Sequence, residues 1–539
     1  MFCIPPHLQE EVHRPRYDHQ FLAFSISDDQ PLLKARTLVQ IDNPVYLGGV
    51  EITEPSQWGK GDLEKQSYDL PRRSPKNKKG RIPILFRIGL ILSFFILHLI
   101  LHPFSLSLPF SKHISVPPLD PSFISHCHSL LSPPDGLYAT RLDKLSSILQ
   151  NGVAWISEPS PSTSYFTAFS PSSWHLSERP FLIAIHNSSI TILTPSFETL
   201  RASLVVNDLP LEVREKVEWV EWREDESPYS VLSSYLAQRG VGGFMLDDGV
   251  RQFVGRGLKR DMKAENKGGL EDEIRGLRER KEGWEVGLMR CANQFTLHAI
   301  RKTRQRMYIG ISESQTSKIL EEEMGRTGMV GGEGLVLFGE NAALPHGSGT
   351  DRKLTKKDLV LIDAGGKWGG YVSDITRTFA LPSSTIPKSH IKLWETVRQA
   401  QIAPYELLNS SNGTLTFGDL DKSARAVVSN WKNGDSLSLS TSKDSIDYSI
   451  FTHRLGHGIG LEGHESPYVI QGPQGEREIE VGNVFSLEPG IYLPSNGHEV
   501  NGLKGIGVRL EDCVVLTRGD DGTWGGEWLS GPVEGWGDI

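Results

Sequence analysis

The stretch Leu359-Val360-Leu361-Ile362-Asp363-Ala364-Gly365-Gly366-Lys367-Trp368-Gly369-Gly370-Tyr371-Val372-Ser373-Asp374-Ile375-Thr376-Arg377-Thr378-Phe379 decides how this chain is read. Its apolar opening, Leu359 to Ile362, reads as a buried strand that delivers the Asp363 carboxylate at its tip. Asp374 follows eleven residues later, and the glycines at 365, 366, 369 and 370 permit a tight return between the two. A hairpin here would bring both carboxylates to one point, where they repel unless a proton or a cation lies between them. An aspartate beside a turn is ordinarily a solvated turn residue, so the pair gains meaning only with further ligands.

Three further groups lie downstream. His457 stands in His453-Arg454-Leu455-Gly456-His457-Gly458-Ile459-Gly460, where small residues leave room for metal and substrate. Glu488 closes the run Phe485-Ser486-Leu487, and Glu511 stands in Gly507-Val508-Arg509-Leu510-Glu511-Asp512. Four carboxylates and one imidazole suit a pair of divalent cations, and the lack of thiolates argues against a structural zinc site. In this order and setting the five residues resemble the pita-bread metallopeptidases, the family of methionine aminopeptidase, aminopeptidase P, prolidase and creatinase. The resemblance covers about residues 280–520. It implies that Asp363 chelates one metal, that Asp374 and Glu511 bridge both, and that His457 and Glu488 bind the other. It also implies manganese, with cobalt and zinc left open.

Within that family three features resemble the proline-specific branch of aminopeptidase P and prolidase. They are His453 four residues before His457, Arg509 two residues before Glu511, and an α/β segment at 135–260 with Arg251-Gln252-Phe253 near its end. His457-Gly458-Ile459-Gly460 and His464-Glu465-Ser466-Pro467 also echo the methionine branch. The implied activity is a metal-dependent exopeptidase, an Xaa-Pro aminopeptidase or Xaa-Pro dipeptidase, cutting the bond before proline with a water bridging two cations. The alternatives are a methionine-aminopeptidase-like activity, or an inactive peptide-binding protein on the same fold. By the same resemblance Glu488 is also the general base, and His346 and His464 act on the scissile carbonyl and the leaving nitrogen. His453 lines the proline pocket, and Arg509 orients Glu511 or anchors a substrate carboxylate. Proline's nitrogen carries no N–H in the peptide bond, so protonating it on departure matters.

Beyond the ligand motifs, 539 residues exceed one ordinary core and predict two or three domains. A net charge of -9 argues against a nucleic-acid partner. The four cysteines have no CxxC spacing and imply no disulfide framework. The expected order is a disordered tail at 1–83 with a basic end, a single membrane helix at 84–108 acting as signal anchor, and a Pro- and Ser-rich linker at 109–134. A creatinase-type N-terminal α/β domain at 135–260 and an α+β pita-bread domain at 278–525 follow, with a surface insertion at 429–449. The apolar stretch after the basic cluster predicts a single-pass membrane protein with its catalytic domain lumenal or extracellular; a cytoplasmic location is the alternative. A homodimer is a further expectation from the resemblance.

Overall fold

The computed structural model describes residues 116–150, 152–411, 414–433, 449–519 and 522–538. The described residues open with α1 (Pro121–Ser129) and α2 (Leu137–Leu149). Next come β1 (Val153–Ser157), α3 (Pro161–Thr167), β2 (Leu182–His186), β3 (Ser189–Pro195), α4 (Thr199–Asn207), α5 (Leu211–Arg214) and β4 (Val217–Trp222). They are followed by α6 (Pro228–Gln238), β5 (Gly243–Leu246), α7 (Gln252–Asp261) and β6 (Glu265–Asn266). The strands form one mixed sheet in the order β4-β3-β2-β1-β5-β6, with apolar cores on its two faces. The hairpin read at 181–193 is present. Its two-residue turn, Asn187-Ser188, holds both residues at positive φ, the geometry that matches the twist of paired strands.

Two helices join this sheet to the next domain: α8 (Glu271–Glu279) and the long α9 (Gly283–Arg306). On α9 the face carrying Leu288, Ala292, Phe295 and Ala299 is buried, as its spacing predicts. The second domain continues with α10 (Glu313–Arg326), β7 (Val330–Phe338), β8 (Val360–Trp368), β9 (Tyr371–Val372) and β10 (Ile375–Phe379). Then come α11 (Lys388–Ser410), α12 (Phe417–Asn433), β11 (Gly456–Gly458), β12 (Glu465–Val469), β13 (Val484–Leu487), β14 (Gly490–Leu493), β15 (Ile506–Arg509), β16 (Asp512–Arg518) and β17 (Trp524–Trp528). Among the described residues its sheets run β10-β8-β7 with β9 on β8, β12-β11-β13-β16-β17, and β14-β15.

The deciding stretch differs from its reading in one respect. β8 does not stop at Asp363 but runs on to Trp368, so Asp363 sits mid-strand, opposite Leu335 and Thr376. The return is made by Gly369-Gly370, both at positive φ. Gly365 serves a different purpose. A Cβ there would lie 2.3 Å from the Ser373 carbonyl oxygen, so only glycine lets the turn bearing Asp374 fold back onto β8.

Several expectations are corrected. The second half of the segment read as a linker is helix α1, because Pro121 starts it, Asp120 caps it, and it has a surface to pack on. Phe123 meets Phe295 edge-on, and Trp368 and Trp284 donate to the carbonyls of Cys127 and Leu130. Cys127 and Cys291 form a disulfide across 164 residues, which spacing alone did not reveal. The catalytic domain extends past 525, since β17, Leu529 and Trp536 pack into it. The start of the expected insertion, to Asn433, is helical, and 434–448 lie outside the described residues.

The tail at 1–83 and the stretch at 84–108 also lie outside them, and no helix among the described residues is long and apolar enough to cross a membrane. The expectation of a single-pass membrane protein with a lumenal or extracellular catalytic domain is therefore withdrawn. Its basis was physically thin, since the apolar run reached spanning length only by including Arg87, His98, His102 and Pro103.

Closing a loop of this length by the Cys127–Cys291 bridge stabilises by about 4–5 kcal/mol in the chain-entropy view. Calorimetry of the oxidised protein should therefore show a higher Tm than in excess dithiol reductant, and Cys127→Ser should abolish that difference. Equal Tm values with and without reductant would remove the bridge from the stability account.

Candidate metal centre

Five segments of the second domain converge at one place. Asp363 comes from β8, Asp374 from the turn between β9 and β10, His457 from β11, Glu488 from just after β13, and Glu511 from between β15 and β16. The side chains of Asp363, Asp374 and Glu511 offer oxygens within 4.8 Å of one another, and so do the ligand atoms of His457, Glu488 and Glu511. A third group at the same spacing joins Asp374, His457 and His464. The groups overlap at Glu511, Asp374 and His457, an arrangement with room for two cations side by side.

His457 shows what the centre needs. Its Nδ1 lies 3.0 Å from the Gly458 carbonyl oxygen, which accepts a hydrogen bond from Nδ1–H and so leaves Nε2 with a lone pair. That nitrogen faces Glu488 Oε1 at 3.4 Å, Asp374 Oδ2 at 3.6 Å and Glu511 Oε1 at 3.9 Å. Burial depresses the His457 pKa to about 3, so the imidazole is neutral. A lone pair among carboxylate oxygens is repulsive until a cation or protons intervene. Glu511 Oε1 is buried without a hydrogen-bond partner, a donor-poor position that a divalent ion fills. The donor set of carboxylate oxygens with one imidazole nitrogen suits such an ion.

The electrostatics agree. Burial, reinforced by the neighbouring carboxylates, pushes the pKa values of Asp374 and Glu511 well above the ordinary carboxylate range. Burial likewise raises Glu488 to about 8, against the opposing pull of Arg509. Arg509 is the buried counter-charge: its Nη2 lies 2.6 Å from Asp363 Oδ2, and its Nε donates to Thr376 Oγ1 at 3.1 Å. Thr376 Oγ1 in turn donates to Glu511 Oε2 at 2.7 Å. Arg509 thus orients Glu511 through Thr376. With Nη1 on Tyr492 Oη and the Pro345 carbonyl and its side chain 4% exposed, it is not presented to a substrate carboxylate.

The other expected residues divide into wall and rim. His453 is held at both nitrogens, Nε2 by Tyr492 Oη at 2.9 Å and Nδ1 by the Arg454 carbonyl at 2.7 Å, and burial beside Arg509 depresses its pKa to about 4. His464 and His346 are exposed. The His464 ring lies 4.1 Å from that of His457, on the rim of the cluster, while no ligand group includes His346.

Residues with no sequence reading hold the centre in shape. Tyr492 ties His453 to Arg509. Arg377 and Asp512 form a buried pair, and Arg377 also donates to the Glu511 carbonyl, which pins the backbone at that ligand. Ser373 Oγ bonds Thr296 and accepts from the Gly366 amide, fixing the turn before Asp374. Asp512 stands in the quoted Glu511 motif, and its charge was the one available signal.

Residues 287–518 match the sequence pattern of metallopeptidase family M24. An uncharacterized peptidase of Schizosaccharomyces pombe is 34% identical over 390 residues, 70% of this chain and 77% of that protein. The chain belongs to metallopeptidase family M24. The Xaa-Pro dipeptidase of Pyrococcus furiosus is 28% identical, over 59% of this chain and 82% of its own. Among solved structures, a dipeptidase from Pyrococcus horikoshii OT3 superposes with a TM-score of 0.57 at 28% identity, covering 73% of this chain and 98% of that one. The pita-bread fold expected of the second domain is thus the fold observed.

Raised carboxylate pKa values give the metal-free M24 centre a definite pH signature. A group whose folded pKa is raised stabilises the fold below its unfolded pKa, and that stability is lost as pH rises through the folded value. The Tm of the metal-free protein should fall between about pH 5 and pH 9, and divalent cation should restore it most at the alkaline end. A metal-free Tm that climbs across that window would contradict this geometry.

Proposed function

We propose that this chain is a metal-dependent Xaa-Pro peptidase that hydrolyses the peptide bond preceding proline, using two divalent cations, with manganese the expected metal. The observation that carries the reading is the pair of overlapping ligand groups sharing Glu511, with a rim histidine beside them. The relatives named Xaa-Pro dipeptidase support the substrate class.

Asp363, Asp374, His457, Glu488 and Glu511 would hold the cations. When bound, these supply Lewis acidity, which acidifies water and polarises a carbonyl oxygen. The chain's own groups then have distinct roles. Glu488, kept as a carboxylate by the cations it would help to hold, accepts the proton from the attacking water. His464 stands at the rim, where it hydrogen-bonds the scissile carbonyl or passes a proton to the departing proline nitrogen, and His346 supports it from the exposed loop after Leu344. His453, neutral and locked by Tyr492, forms a fixed wall for the proline ring. Arg509 holds Asp363 in place rather than reaching for the peptide. The homodimer implied by the family resemblance has a candidate face in Phe197, Leu200 and Leu204, all exposed on the N-terminal domain.

The test is hydrolysis of Gly-Pro and of a longer Xaa-Pro-Xaa peptide, with and without manganese. Activity should need the cation and vanish with chelator. Asp374→Ala and His457→Ala should each reduce it to background while the circular dichroism spectrum stays native. Wild-type activity in either purified variant would overturn the assignment, and the ratio between the two peptides separates dipeptidase from aminopeptidase.

A further inference from the structure

Two cations from the joint between the domains converge on one carboxylate beside the rim histidine. Lys281 Nζ lies 2.7 Å from Glu465 Oε1, and Arg278 Nη2 lies 2.9 Å from Glu465 Oε2. The three side chains, of Lys281, Arg278 and Glu465, are 1%, 15% and 7% exposed respectively, so water screens the pairs little. Breaking a buried pair by removing one partner leaves the other charge uncompensated. Arg278 also reaches Glu462, and its Nη1 donates to Ser162 Oγ at 3.0 Å, a residue of α3 in the N-terminal domain. The clamp therefore spans α3, the α8–α9 joint and the strand that follows His464.

The glycines of His457-Gly458-Ile459-Gly460 explain how it fits. A Cβ on Gly460 would lie 2.7 Å from both Glu465 Oε1 and Lys281 Cε, and one on Gly458 would lie 2.4 Å from the Ser466 carbonyl oxygen. The small residues read from sequence as room for metal and substrate are instead, at these two positions, room for the clamp and its strand. β11 and β12 pair here, Gly458 against Glu465, so the clamped residue adjoins His464 in sequence and is registered against the His457 strand. A cavity of about 740 Å³ between the domains is lined by His464, Glu465, Arg278 and residues of the N-terminal sheet. His464 therefore stands at its edge, exposed on one side and with its ring 4.1 Å from that of His457 on the other.

We infer that Glu465, clamped by Lys281 and Arg278, is a positioning residue for His464, so that the joint between the two domains is part of the catalytic apparatus. This rests on the reading of His464 as the group acting at the scissile bond.

Glu465→Gln replaces one acceptor oxygen by an NH₂ facing a cation, and Lys281→Met removes one cation at similar volume. Arg275→Gln is the control, since Arg275 lies one turn earlier and pairs with Asp248 and Asp272 at the surface. Four quantities are read: kcat and KM on an Xaa-Pro peptide and the rate of His464 modification by diethyl pyrocarbonate, followed by mass spectrometry, on manganese-supplemented protein, and manganese affinity by calorimetry on metal-free protein. In both clamp variants kcat should fall about 10²-fold, the usual cost of a displaced catalytic group, with KM and manganese affinity close to wild type. His464 should be modified severalfold faster, while Arg275→Gln matches wild type throughout. Unchanged His464 reactivity in either folded clamp variant overturns the inference, and so does manganese affinity falling in step with kcat. If the wild type cleaves no Xaa-Pro peptide, the proposed function fails instead, and the modification rate still decides whether Glu465 places His464.

Discussion

The mutual repulsion of carboxylates crowded into one largely desolvated space is the constraint from which this architecture follows. Asp363, Asp374, Glu488 and Glu511 come from separate strands and turns to one place, Glu511 fully buried and the others partly so, with the Arg509 guanidinium as their direct counter-charge. Left to themselves such groups take up protons or move apart. The surrounding structure prevents the second. Arg377 and Asp512 pin the backbone at Glu511, Thr296 and Ser373 pin the turn before Asp374, and Gly365 lets that turn sit against β8. Cations that displace the protons relieve this repulsion, which favours their binding.

How much of this was legible depended on where the information lay. The five ligands could be read because metal chemistry restricts residue type, and because Asp363 and Glu488 each close an apolar run while His457 lies among glycines. The β2–β3 hairpin and the buried face of α9 could be read because their spacing and turn residues are local properties. What escaped depends on distance along the chain. Cys127 and Cys291 are 164 residues apart, and nothing near either names its partner. Tyr492 reads as one more apolar residue of a strand until His453 and Arg509 are seen on its hydroxyl. Arg509 illustrates the intermediate case: its nearness to Glu511 in sequence suggested a direct contact, whereas its carboxylate partner in space is Asp363.

The N-terminal domain is more than a neighbour. Arg141 of α2 lies 3.2 Å from the buried Glu285 of α9, and Tyr371, three residues before Asp374, donates to the same carboxylate at 2.6 Å. With the Glu465 clamp this makes two buried polar connections that run from the joint toward the centre, one to the strand before Asp374 and one to the strand that follows His464. Sequence composition marked 259–282 only as charged and glycine-rich. Of its charges, Arg278 and Lys281 turn inward to the Glu465 clamp, while Arg260, Lys267 and Arg275 pair at the surface.

The central claim is that the two overlapping ligand groups each bind a divalent cation. Anomalous diffraction at the manganese edge, on crystals grown with that ion, tests it most directly. The account predicts two peaks, one among Asp363, Asp374 and Glu511 and the other among His457, Glu488 and Glu511. A single peak, or density remote from Glu511, would contradict it.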